Sequence, residues 1–130
     1  MKIKINNIEI SNNSKPLIVA EIGINHFGNL HKAKKIVDKL KKIGVKAVKV
    51  QIHIPGEEMS IACKKIKPGN SNKNIYDIIK NYSLSLYDEY ELKKYIEKKN
   101  LLYSATPFSY KAADWLKENK IKLIKIGSGE

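Results

Sequence analysis

Arginine is missing altogether from these 130 residues: all 25 basic side chains are lysines, set against 13 acidic ones for a formal charge of +12. Such an excess invites a nucleic-acid reading. Base edges and phosphates, however, are usually read by the bidentate guanidinium fork, which a point-charge ammonium cannot copy. The lysines fall mostly on stretches such as 32–42 and 93–99, interleaved with apolar residues as on a solvated helix face. No nucleic-acid partner is expected, and what the charge leaves is a weak preference for anions. Only one cysteine is present, Cys63. An internal disulfide framework is thereby excluded, a reducing compartment fits, and with no activating base nearby Cys63 reads as a small loop residue. Long apolar runs are lacking too, so no membrane span is expected. The start, MKIKINNIEI, alternates polar and apolar residues instead of forming a signal-peptide core, and the chain is expected to be soluble and cytoplasmic. Gly127-Ser128-Gly129 matches neither a dinucleotide fingerprint nor a phosphate loop of the P-loop type. His26 and His53 are not at metal-ligand spacing and read as loop or packing residues, His31 as an exposed helical residue, and Trp115 as core.

What is there is an alternation of strands and helices, in a length that suits one domain. KIKINNIEI has period-two alternation on both sides of Asn6-Asn7 and predicts a small hairpin, which with its linker occupies residues 1–15. LIVAEIGI (17–24) predicts a strand buried on both faces. Leu30, Ala33, Ile36, Val37, Leu40 and Ile43 recur at helical spacing, with Gly44 as the stop. VKAVKVQI (45–52) predicts a second strand, and 53–74, with Pro-Gly pairs at 55–56 and 68–69, a long irregular loop. NIYDIIKNY and 85–100 predict helices, the latter capped by Ser85 with acidic residues in its first turns. LLYSAT (101–106) predicts a third strand, YKAADWLKEN a helix, and IKLIKIG (121–127) a fourth strand. Strands alternating with helices make an α/β domain over 16–130, with a parallel sheet covered by helices.

In such folds the site lies at the carboxyl ends of the strands. Those ends are polar here. The first offers Glu21 and Asn25-His26, the second Lys49 and Gln51 on one face, the third Ser104 and Thr106, and the fourth Lys125, Ser128 and Glu130. A lysine inside a parallel strand needs a negative partner, because an unpaired buried ammonium is costly. Lys49 and Lys125 either pair structurally with Glu21 and Glu130 or hold an anion. In a closed barrel, residues of the second and fourth strands can converge. Two ammonium groups, the hydroxyls of Thr106 and Ser128, and the amides of 127–129 would then hold a phosphate or carboxylate.

AEIGINHFGN, KVQ, EEMS, KPGN, TPFS and KIGSGE, in this order and near these spacings, resemble the sialic acid synthase family. That family includes N-acetylneuraminate, legionaminic acid and pseudaminic acid synthases, and the resemblance runs from about residue 17 to 130. It implies a TIM (β/α)8 barrel preceded by a small β-hairpin. The implied activity condenses phosphoenolpyruvate with N-acetylmannosamine or a related N-acetylated hexosamine, giving a nine-carbon 2-keto acid and phosphate. The implied cofactor is a divalent metal, Mn2+ or Mg2+, and the implied assembly a homodimer in the full-length form. The resemblance assigns Lys49, Thr106, Lys125 and Ser128 to phosphoenolpyruvate, and Gln51 and Asn70 to the sugar. It gives Glu21 and Glu130 catalytic roles near the reacting aldehyde and the reaction centre. Phe27 stands where the family usually has Asn, and KVQ where KFQ is common.

A full barrel takes roughly 250 residues and eight strands, so the expectation is the N-terminal half alone, about four strands. The metal-binding histidines and the C-terminal antifreeze-like domain of the resemblance would lie outside this chain. The fragment by itself is then expected to be inactive, and the alternatives are a legionaminic or pseudaminic acid synthase, or a non-catalytic anion-binding half-barrel.

Overall fold

The structure is a computed structural model that describes residues 2–128. Strands β1 (Lys2–Ile5) and β2 (Ile8–Ser11) form an antiparallel hairpin in which Ile5 faces Ile8 across Asn6-Asn7. Asn6 turns the chain at φ 52°, a left-handed conformation that asparagine tolerates better than most residues. The hairpin lies by the amino end of the main sheet, where the Lys122 ammonium donates to Asn6 Oδ1 at 2.7 Å.

The main sheet is parallel, in the order β3 (Val19–Ile22), β4 (Ala47–Ile52) and β5 (Leu102–Pro107). Helix α1 (Leu30–Lys42) connects β3 to β4, and α5 (Tyr110–Glu118) follows β5. The β4–β5 connection holds the short α2 (Pro55–Glu58), a 3-10 turn (Ile61–Lys65), α3 (Ile75–Tyr82) and α4 (Leu86–Lys98). Side-chain caps begin four of the helices: Asn29, Asn74, Ser85 and Ser109 each accept from a backbone N–H three residues on. The segment expected to be irregular, 53–74, therefore contains a helical turn and a 3-10 turn. Pro55 starts the helical turn because its fixed φ suits a first helical position, and Glu57 and Glu58 favour its positive end.

Every helix that reaches the core does so on one face of the sheet. Ile22, Val48, Val50, Ile52, Tyr103 and Ala105 pack there against Ala33 and Val37 of α1, Leu92 and Ile96 of α4, and Trp115 and Leu116 of α5. The opposite face carries Glu21, Lys49, Gln51, Ser104 and Thr106, brought into line by the register Glu21↔Lys49↔Ser104 and Gln51↔Thr106. A sheet with helices on one face and polar residues on the other differs from a doubly wound sheet, which carries helices on both faces.

Two expected strands differ. The first is not buried on both faces: Ile18 is 65% exposed and Val19 is also exposed, because β3 is an edge strand with β4 on one side only. Residues 121–127 do not form a full fourth strand among the described residues. They run parallel to β5 through a single bridge, Ala105↔Ile124, with the Lys125 N–H donating to the Ala105 carbonyl at 3.0 Å. Paired on one edge and with Ile126 73% exposed, this segment lacks the second neighbour that would extend its ladder.

Candidate functional site

The helix-free face gathers one connected polar cluster. Lys49, 9% exposed and set in mid-strand by apolar neighbours, reaches the Glu21 carboxylate at 2.7 Å and donates to Thr106 Oγ1 at 3.4 Å. Gln51, two residues on along β4, donates its Nε2 to the same Glu21 oxygen at 2.9 Å. The Lys49 ammonium beside it holds the Glu21 carboxyl below the usual carboxylate range; partial burial opposes this, and Gln51 and the more distant Lys125 charge reinforce it. Glu21 is thus a carboxylate at neutral pH, able to accept hydrogen bonds or a proton. An ammonium has three donors, and two of those on Lys49 meet Glu21 and Thr106, leaving one for a ligand.

Lys125 lies on the same cleft, a space of about 290 Å3 lined by Val19, Glu21, Lys49, Ser104, Leu123 and Ile124 as well as Lys125 itself. It is exposed, however, and its ammonium donates to the Ile126 carbonyl at 3.2 Å. The expectation of two buried lysines is met by Lys49 and not by Lys125, because among the described residues nothing covers the outer side of the segment carrying Lys125. Lys49 takes the structural partner expected for it, Glu21. The carboxylate proposed as a partner for Lys125, Glu130, lies outside the described residues, as does Gly129. Ser128 is exposed on a turn and does not line the cleft. Asn70 is exposed on the turn after Lys67, and among the described residues no side-chain hydrogen bond joins it to the cluster.

Of the remaining candidates, His26, His31, Phe27 and Trp115 do not join this cluster. His26 is buried, its Nδ1 accepts the Gly28 N–H at 3.2 Å, and burial pushes its imidazole pKa down. His31 is exposed and Trp115 belongs to the core. Phe27 adopts φ 54°, the left-handed conformation that suits the asparagine usual in the resembling family. Its ring is held edge-on to Tyr82, with centroids 5.1 Å apart, so it serves packing and leaves no polar group in that loop position. Among the described residues no group of three or more His, Cys, Asp or Glu side chains could hold a metal ion. A pair that sequence reasoning passed over is His53 and Glu58: the His53 Nδ1 lies 3.0 Å from both Glu58 carboxylate oxygens, beside Gln51. The spacing of five residues gave no signal, since it depends on the short α2 folding Glu58 back.

Comparison with known proteins agrees with this geometry. A model of the NeuB family matches residues 36–130. An N,N'-diacetyllegionaminic acid synthase from Campylobacter jejuni is 32% identical over 120 residues, covering 89% of this chain and 36% of that protein. The human N-acetylneuraminate-9-phosphate synthase is 29% identical over 119 residues, covering 87% of this chain and 32% of that protein. Among solved structures, the N-acetylneuraminic acid synthetase of Leptospira borgpetersenii superposes with a TM-score of 0.79 at 28% identity, over 97% of this chain and 41% of that one. The chain spans about a third of the length of the curated relatives it matches. With the family model covering most of the chain and the fold shared, the chain belongs to the NeuB family.

Proposed function

We propose that this chain is part of a phosphoenolpyruvate-dependent synthase of the sialic acid type, and that its cleft holds phosphoenolpyruvate. In the reaction, the enol C3 bonds to the aldehyde carbon of an N-acetylated hexosamine and the aldehyde oxygen gains a proton. Water adds at C2, and the C–O bond to phosphate breaks to leave a nine-carbon 2-keto acid. The observation that carries this reading is the Lys49–Glu21–Gln51–Thr106 cluster on the face free of helices, with Lys125 on the same cleft.

Each residue has a physical role. Lys49 and Lys125 bring two ammonium groups to one small space, which suits a ligand with a phosphate and a carboxylate. Thr106 steadies the Lys49 head. Glu21, held ionised by Lys49, faces the developing positive charge at C2 and the hydroxyls of the sugar. Gln51 reads a sugar oxygen, while Asn70, Ser128 and Glu130 complete the sugar, phosphate and proton-handling groups. The sheet with helices on one face supports a TIM barrel as the complete architecture, and a cytoplasmic homodimer belongs to the same reading. The relatives include synthases of legionaminic, neuraminic and pseudaminic type, so the acceptor is proposed as a class, an N-acetylated hexosamine such as N-acetylmannosamine.

Calorimetric titration of phosphoenolpyruvate into the chain tests the cleft. One site is expected, lost on Lys49→Ala and at least tenfold weaker on Lys125→Ala, about 1.4 kcal/mol. Unchanged binding in both variants would overturn the assignment. Steep salt dependence that survives both would instead support surface lysines as the binding groups.

A further inference from the structure

The His53–Glu58 pair plays no part in the reading above, yet it is built with care. His53 directly follows β4, and Glu58 returns to it from α2; their side chains are only 8% and 6% exposed. The His53 ring stacks on Phe108 with centroids 4.4 Å apart and planes 13° from parallel. Phe108 is itself pinned, its N–H donating to the Ile52 carbonyl at 3.2 Å. The other ring nitrogen, Nε2, faces the Gln51 amide oxygen at 3.4 Å. Behind that oxygen stands Gly23, where an added Cβ would come within 3.3 Å of it. The Gln51 amide is therefore enclosed on three sides: Glu21 at its nitrogen, His53 at its oxygen, and the Gly23 backbone behind.

A side-chain amide can flip about its terminal bond, exchanging donor for acceptor with almost no change of shape. Here the flip is opposed. A carboxylate only accepts, so Glu21 selects the nitrogen. The Glu58 carboxylate also only accepts, so His53 donates to it from Nδ1, and where Nε2 carries a proton as well the Gln51 oxygen is its acceptor, which selects the oxygen from the other side. We propose that His53 and Glu58 are positioning residues that lock Gln51 in this orientation, so that on the helix-free face of the sheet Gln51 offers its second N–H and not its oxygen. The ligand group opposite Gln51 must then be a hydrogen-bond acceptor, such as an acetamido or aldehyde carbonyl. That consequence rests on the synthase reading; the orientation of the amide does not.

The test is side-chain amide NMR on the full chain. Without any variant, the Gln51 Hε protons should show contacts to the Glu21 Hγ protons and none to the His53 ring protons; the reverse pattern overturns the proposal. In His53→Ala and Glu58→Ala, the two Hε shifts should collapse towards free-glutamine values with roughly fivefold faster exchange, as for loss of one net hydrogen bond. The Glu21 carboxyl midpoint should rise at the same time, because Gln51 helps hold it down. Glu58→Gln keeps an acceptor for the His53 Nδ1–H and should therefore disturb both signals less than Glu58→Ala. Unchanged Gln51 shifts and an unchanged Glu21 midpoint in folded His53→Ala would also overturn it. Because none of these readouts involves substrate, they stand or fall apart from phosphoenolpyruvate binding.

Discussion

Glu89 is the residue whose chemistry least matches its place. It sits in the first turn of α4, a position where a carboxylate usually favours the helix, but it is 3% exposed and among the described residues its Oε2 has no hydrogen-bond partner. Burial, with the Asp88 charge adding to it, pushes its pKa up to about 8. The Tyr103 hydroxyl is likewise buried without a partner, and burial first, then the Glu89 charge, pushes it up. The sign follows from linkage: between the ordinary carboxylate range and pH 8 the folded chain holds a proton that the unfolded chain releases. Stability should therefore fall as pH rises through that window, by up to about 1.4 kcal/mol per pH unit from this one group. Glu89→Gln should flatten the dependence and raise the denaturation midpoint at pH 8, read by urea unfolding at several pH values. Nothing in SLYDEYELKK distinguishes Glu89 from its neighbours, since which side of the helix meets Tyr103 is decided by packing. Lys49 was legible for the opposite reason: an ammonium between valines in a strand cannot be left without a partner. The exposure of Lys125 was not legible, because it depends on what lies beyond the strand.

The elements were legible where a hydrophobic period runs for several turns or a mostly apolar stretch is bounded by turn signals. Helices α1, α4 and α5 and strands β4 and β5 fall where their patterns place them. The α2 turn was hidden because four residues carry no period and Pro-Gly reads as a turn. The glycines show how local chemistry and tertiary contact separate. Gly28 adopts φ +66°, donates its N–H to the Tyr82 carbonyl at 2.9 Å, and an added Cβ would stand 2.7 Å from the Asn81 carbonyl oxygen. This is where the loop after β3 docks on the end of α3. Gly44, at φ +85°, would place a Cβ in open space. Gly44→Ala should thus cost about 1 kcal/mol, from the left-handed backbone alone. Gly28→Ala should cost at least about 2 kcal/mol more, since backbone must also move. Paired urea titrations of the two variants decide this, and equal costs would contradict the docking of that loop.

At the scale of the whole molecule, the helix-covered face is complete and the two sheet edges are not. Ile18 beside β3, and Ile124 and Ile126 beside β5, are exposed apolar residues flanking backbone that pairs on one side only. Open edges of this kind recruit further strands, so the chain studied by itself should self-associate. Replacing Ile18 and Ile126 with lysine should shift sedimentation towards monomer while leaving the helical circular dichroism unchanged. The same openness explains why the site is half drawn: one ammonium is seated by its carboxylate, the other waits on an uncovered segment. The most direct measurement is a crystal structure of the chain with phosphoenolpyruvate bound. The account predicts one ligand in the cleft, with the Lys49 and Lys125 nitrogens each within hydrogen-bonding distance, about 3 Å, of its phosphate or carboxylate oxygens. A ligand bound elsewhere, or one gripped in the cleft while Lys125 still points to solvent, would contradict it.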